Sequence, residues 1–221
     1  EFLKDVLKEV IEEVDPRIYP RDERAELEEV LSRYVNVSLG QIVVGEGSDQ
    51  LIDLVSSAFL KHGDVALSIM PTFSMYEQCV RVQRAKFVAV PLREDFSLDV
   101  DKILDSAKPG ARLLFLCSPN NPTANQFDLK EIQCLVEEFN GLVIVDEAYV
   151  EFSEQNVSSI VEKNENLIIL RTFSKAFGLA GLRLGYAISN EDLGSILSKR
   201  LQLPYSATSI TLKMATKLLE K

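Results

Sequence analysis

The chain has 221 residues, 46% apolar and 26% charged, enough to bury a sizeable core and unlike the composition of a disordered segment. Thirty-four acidic against 24 basic residues give a net charge of -10, which offers no broad electropositive surface and argues against nucleic acid as a partner. Three cysteines at 79, 117 and 134 have no zinc-site spacing, and one histidine, His62 in a turn-like stretch, rules out chemistry that needs two imidazoles.

Phe2, Leu3, Val6, Leu7, Val10, Ile11 and Val14 recur at three- and four-residue spacing before Pro16, so residues 2–14 predict an amphipathic helix. A second runs from Arg24 to about Tyr34. The run Ile42-Val43-Val44 leads into Gly45-Glu46-Gly47-Ser48-Asp49, with a helix expected over 50–60. Short β-rich runs then alternate with helical ones: strand 65–69, helix 75–82, strand 86–90, helix 100–107, strand 113–117, helix 128–139, strand 142–145. Strands at 167–170 and 184–188 flank a Gly-rich connection containing Lys175, and 209–221 is helical. Runs that are apolar throughout belong to strands covered on both faces, so the expected fold is a three-layer α/β/α sandwich around a mostly parallel sheet. The apolar runs are too short to cross a bilayer, and Glu1-Phe2-Leu3-Lys4 has no signal-peptide pattern. A reduced, cytoplasmic chain with no membrane contact is expected.

In an open parallel sheet, ligands bind at the carboxyl ends of the strands. Five strand ends carry suggestive residues: Gly45 to Asp49, Pro71-Thr72-Phe73, Ser118 to Thr123, Asp146-Glu147-Ala148-Tyr149, and Arg171 to Lys175. Singly, each has a plain explanation. Gly45-x-Gly47 could be a simple turn, and Gln50 spoils a dinucleotide fingerprint. Phe73 could be a core aromatic, and Lys175 a solvated lysine. Asp146, after four apolar residues, must lie near the core, where a carboxylate needs a cationic partner. Together, an anion cradle, a ring, an amide, a carboxylate with a phenol, and a lysine are the parts needed to hold pyridoxal phosphate.

The segments Ser118-Pro119-Asn120-Asn121-Pro122-Thr123, Asp146 to Phe152 and Arg171 to Tyr186 resemble fold-type I aminotransferases, and among these most closely the branch acting on histidinol phosphate. The likeness extends from about Tyr19 to Tyr205. It implies pyridoxal 5'-phosphate as cofactor and transamination between histidinol phosphate and 2-oxoglutarate. Lys175 would anchor the cofactor aldehyde and act as general base, and Asp146 would pair with the pyridine nitrogen. Asn121 and Tyr149 would hydrogen-bond the ring hydroxyl, with Tyr149 counted among the catalytic groups, and Phe73 would stack on the ring. Gly47, Ser48 and Asp49 at a helix start, with Thr172, Ser174 and Arg183, would bind the phosphate. Tyr19, in Tyr19-Pro20, would reach the partner subunit's phosphate in a homodimer.

The sequence departs from the family in having Ala124 where glycine usually follows Asn-Pro-Thr, so a slightly different turn is expected there. Family members are also longer, continuing into a small domain with an arginine for the substrate carboxylate. The implied organisation is a helical segment over 1–35, the cofactor-binding large domain over 36–205, and over 206–221 the start of a helix leading to an absent small domain. A threonine-phosphate decarboxylase, an aromatic aminotransferase and a catalytically silent cofactor-binding domain are the alternatives.

Overall fold

The computed structural model describes residues 1–107 and 110–221. Seven strands form one sheet: β1 (Ile42–Gly45), β2 (Val65–Met70), β3 (Lys86–Pro91), β4 (Ala111–Cys117), β5 (Leu142–Asp146), β6 (Leu167–Thr172) and β7 (Gly185–Ile188), in the order β1-β7-β6-β5-β4-β2-β3. β2, β3, β4, β5 and β6 are mutually parallel, and β7 is antiparallel to both β6 and β1. The sheet is thus mostly parallel, with β7 reversed. A parallel crossover needs a dozen or more residues, usually with a helix. Between Thr172 and Gly185 there is only a helical turn, Ala180–Leu182, so β7 returns beside β6 in the opposite sense. Its first residue, Gly185, therefore lies at the same edge as the carboxyl ends of β1, β5 and β6.

Alternation along the strands divides the core in two. Ile42, Val44, Leu114, Leu116, Val143, Val145, Leu167, Ile169, Tyr186 and Ile188 face one layer. That layer includes α1 (Phe2–Glu13), α2 (Glu23–Val35), α5 (Val100–Ala107), α6 (Leu129–Glu138) and α8 (Ser209–Glu220). Val43, Leu113, Phe115, Ile144, Ile168, Leu170 and Ala187 face the other, formed by α3 (Gly47–Phe59), α4 (Met75–Val82) and α7 (Glu191–Ile196). The expected three-layer α/β/α sandwich is the observed fold.

Two elements differ from the sequence expectation. α3 begins at Gly47 rather than Gln50, because Gly47 takes φ +80 and lets the chain turn from β1 into the helix with one intervening residue. α7 was not anticipated. Its signal is Asn190, whose side chain accepts from the Leu193 N–H, followed by Glu191 and Asp192 in the first turn.

Candidate active site

A cavity of about 160 Å³ opens at the edge where the carboxyl ends of β4, β5 and β6 converge with the starts of α3 and β7. Ten of the residues singled out in the sequence line it: Ser48 and Asp49 from α3, Phe73 ahead of α4, Asn121 after β4, Asp146 and Tyr149 from the end of β5, Thr172, Ser174 and Lys175 from the end of β6, and Arg183 before β7.

Asp146 is the most constrained of them. It is 3% exposed; its Oδ2 accepts from the Tyr76 hydroxyl at 2.7 Å and its Oδ1 from the Ala148 N–H at 3.0 Å. The sequence required a cationic partner for this carboxylate, yet among the described residues no basic side chain pairs with it. Two hydrogen bonds satisfy part of its acceptor capacity in place of a charge. Burial pushes its carboxyl up to about 6, against the opposing pull of those two bonds. Tyr76 escaped the sequence reading. It is fully buried, stacks on Phe115 at 5.1 Å and meets the edge of Phe73 at 5.7 Å, so one residue orients both the carboxylate and the ring expected to face a ligand. Its thiol neighbour Cys117 lines the same wall and is pushed up to about 12, by burial and then by Asp146.

The anion cradle is built by close backbone approach. A Cβ on Gly185 would lie 2.4 Å from the Ser48 nitrogen and 2.7 Å from the Gly47 carbonyl carbon, so only glycine lets β7 reach the start of α3. Ser48 and Asp49 sit in the first turn of α3, where backbone N–H groups lack intrahelical partners and the helix dipole favours an anion. A Cβ on Gly47 would meet the Arg183 guanidinium at 2.7 Å, which places Gly47 beneath the arginine. Arg183 donates to Asp49 at 2.9 Å and reaches Ser174 Oγ at 3.4 Å. Thr172 Oγ1 donates to the Leu184 carbonyl and accepts from the Ser174 N–H, fixing the turn that carries Lys175. The Lys175 ammonium lies 5.5 Å from the centre of the Tyr149 ring.

The Asn-Asn pair after β4 divides its work. Asn120 holds the loop: its amide donates to the Pro71 carbonyl and Thr123 Oγ1, and its oxygen accepts from Thr72. Asn121 lines the cavity. Ala124 adopts φ +60 and donates its N–H to the Asn120 carbonyl at 2.8 Å. Alanine here occupies the left-handed conformation that glycine favours, at the cost of Cβ crowding. Tyr19 lies outside the cavity. It is 71% exposed and stacks on Tyr205 at 4.5 Å.

A mostly parallel sheet with a helix-start anion cradle, a buried carboxylate and a lysine at one edge defines a scaffold able to hold a small anionic ligand. Residues 3–221 match the family described as aminotransferase class I and II, and the chain belongs to that family. It is 40% identical over 222 residues to histidinol-phosphate aminotransferase of Thermoanaerobacter pseudethanolicus, covering 99% of this chain and 62% of that protein. Its fold superposes on histidinol-phosphate aminotransferase of Sinorhizobium meliloti, solved in complex with pyridoxal-5'-phosphate. The TM-score is 0.91 at 23% identity, over 99% of this chain and 60% of that one. It is also similar to L-threonine-O-3-phosphate decarboxylase of Porphyromonas gingivalis, with a TM-score of 0.82 and 25% identity over 99% and 68% of the two chains. The chain thus spans about 60% of the length of the curated relatives it matches. Among the described residues no helix is long and apolar enough to cross a membrane.

Proposed function

We propose that this chain is the cofactor-holding part of a pyridoxal-phosphate-dependent aminotransferase, acting on histidinol phosphate with 2-oxoglutarate as amino acceptor, and that it works as a cytoplasmic homodimer. One observation carries the cofactor: Asp146 is a buried carboxylate paired with no basic side chain among the described residues, in the same cavity as a helix-start anion cradle and a lysine. The donor set fits the group at three points of different chemistry. A carboxylate suits a protonated ring nitrogen, N–H groups with Arg183 suit a phosphate dianion, and a primary amine suits an aldehyde.

When bound, the cofactor supplies an electron-withdrawing ring that stabilises negative charge on the substrate's α-carbon. The chain's own residues do the rest. Asp146, held ionised by the cation it meets, keeps the ring nitrogen protonated, and Tyr76 and Ala148 fix its orientation. Phe73, Asn121 and Tyr149 line the cavity; Phe73 would cover a ring face, and Asn121 and Tyr149 would hydrogen-bond the ring hydroxyl. Ser48, Asp49, Thr172, Ser174 and Arg183 line the cavity and would hold the phosphate, with Gly185 letting β7 approach the start of α3 and Gly47 lying beneath Arg183. Lys175 would anchor the cofactor aldehyde through its primary amine and would serve as the general base that takes and returns the α-carbon proton. Tyr19, exposed and stacked on Tyr205, is the residue assigned to the partner's phosphate. The substrate assignment is supported by relatives named histidinol-phosphate aminotransferase at 40% identity.

Incubation with pyridoxal phosphate, borohydride reduction and peptide mapping test the site, with a reduced adduct on Lys175 as the expected result. An unmodified Lys175 would overturn the anchor. Release of 2-oxoglutarate from glutamate, without carbon dioxide from threonine phosphate, separates transamination from decarboxylation. Sedimentation that shows only monomer in a cofactor-loaded sample removes Tyr19 from any partner's site.

A further inference from the structure

Strand alternation gives each cavity residue on β5 and β6 a neighbour pointing to the opposite face of the sheet. Asp146 and Thr172 face the α3/α4 layer, while Glu147, Arg171 and Tyr186 face the layer of α1, α2 and α8. Three of those rear-facing side chains meet. Asp146 pairs with Leu170 in register, and the Glu147 N–H donates to the Leu170 carbonyl at 2.8 Å as the last backbone rung between β5 and β6. One residue further, Arg171 Nε donates to Glu147 Oε2 at 2.8 Å, and Nη2 lies 2.8 Å from the same oxygen. Both side chains are buried, at 7% and 1% exposure. The other carboxylate oxygen, Oε1, accepts from the Val157 N–H at 2.7 Å. On β7, Tyr186 lies directly opposite Arg171, and its neighbour Gly185 opposite Thr172.

We propose that Glu147 and Arg171 are positioning residues for the cavity. They form an ionic rung behind the sheet that fixes the separation of the β5 and β6 ends, and so of Asp146 from the Thr172–Lys175 turn. Past this point the two strands lead toward Tyr149 on one side and Lys175 on the other, and among the described residues no further backbone bond ties them directly. The rung stands where splaying would otherwise begin.

Hydrogen bonding assigns the carboxylate partner of Arg171. Glu151 approaches the same guanidinium, with Tyr34 of α2 and Tyr186 of β7 completing the surroundings. Both Glu151 oxygens are buried without a hydrogen-bond partner among the described residues, whereas Glu147 receives charged and neutral donors on both of its oxygens. Glu147, which accepts on both oxygens, is the carboxylate that pairs with Arg171; burial raises the pKa of both acids and does not by itself set them apart.

The proposal rests on the cofactor reading above, and its test separates the two. Glu147→Gln strands a buried guanidinium and is expected to unfold readily. The informative variant is the double substitution Glu147→Met with Arg171→Met, because replacing a buried ion pair by apolar groups is often tolerated. In that folded variant, Lys175 still gives the borohydride-stable adduct. Pyridoxal phosphate affinity falls about tenfold, and kcat falls about 100-fold with KM little changed, as expected for misplaced groups. The pH midpoint of the bound cofactor's absorbance also moves. Hydrogen exchange at the Glu147 and Ser174 amides in the cofactor-free chain accelerates, a readout independent of activity. Glu151→Gln, at a carboxylate that makes no hydrogen bond to the rung, leaves all four quantities unchanged. A double variant with wild-type affinity, midpoint and exchange overturns the rung; so does a double variant that cannot fold, or a Glu151→Gln chain that matches its defects. Absence of any Lys175 adduct in the wild-type chain overturns the cofactor reading and the rung with it.

Discussion

Asp146 makes the cofactor-free chain carry an electrostatic penalty that a single substitution can expose. Its carboxyl stands at 3.8 when free and at about 6 in the fold, chiefly through burial. At about 1.4 kcal/mol per pH unit, that displacement corresponds to roughly 3 kcal/mol. The sign follows from proton uptake: between the two values the folded chain holds a proton that the unfolded chain has lost, so stability falls as pH rises. The contribution is fully present below about pH 4 and lost above about pH 6. Asp146→Asn keeps the shape, can accept from the Ala148 N–H, and cannot ionise. In urea unfolding of cofactor-free protein at pH 7.5, this variant should be more stable than wild type by up to roughly 3 kcal/mol, or about 6–12 °C in melting temperature for a chain of this size. At pH 4.5, where Asp146 is largely protonated in the fold but still ionises in the unfolded chain, the gap should narrow to roughly 1 kcal/mol. Saturating pyridoxal phosphate should narrow or reverse the difference at pH 7.5, because only the carboxylate gains from a cationic ring. An Asp146→Asn chain that is equally displaced from wild type at both pH values refutes the reasoning, as does one destabilised at pH 7.5.

Two further substitutions probe the backbone of the site. Gly185→Ala drives a Cβ to 2.4 Å from the Ser48 nitrogen and 2.9 Å from the Arg171 carbonyl oxygen; it should cost about 1–3 kcal/mol or more and weaken pyridoxal phosphate binding at least about tenfold, measured by equilibrium dialysis. Unchanged affinity would mean the cradle does not depend on this approach. Ala124→Gly relieves a left-handed alanine at φ +60, a gain of about 1 kcal/mol offset by several tenths from greater freedom of the unfolded chain. Chemical denaturation should show a small net stabilisation, and a loss would mean the Ala124 methyl is held by packing.

Most of the layer architecture was legible because Leu113 to Cys117, Leu142 to Val145 and Leu167 to Leu170 are apolar at every position, which only doubly covered strands require. The cavity residues were legible because such strands end where ligands bind. The reversal of β7 was also encoded, by the lack of a crossover helix between Thr172 and Gly185. Tyr76 was not, since its contact with Asp146 spans 70 residues and depends on how α4 is rotated over the sheet. The deeper omission concerns register. Alternation alone places Asp146 and Glu147 on opposite faces, and likewise Arg171 and Thr172, but not which of them meet. The observed pairing sets Asp146 against Leu170 and Glu147 beside Arg171. A slip of one residue between β5 and β6 would set Asp146 against Arg171 and turn the guanidinium to its face of the sheet. The carboxylate would then have the cation its burial demands, supplied by the chain itself, and nothing would remain at that point for a ligand to neutralise. The capacity of the cavity to hold a cationic ring therefore depends on a one-residue register that the Glu147–Arg171 pair helps to specify.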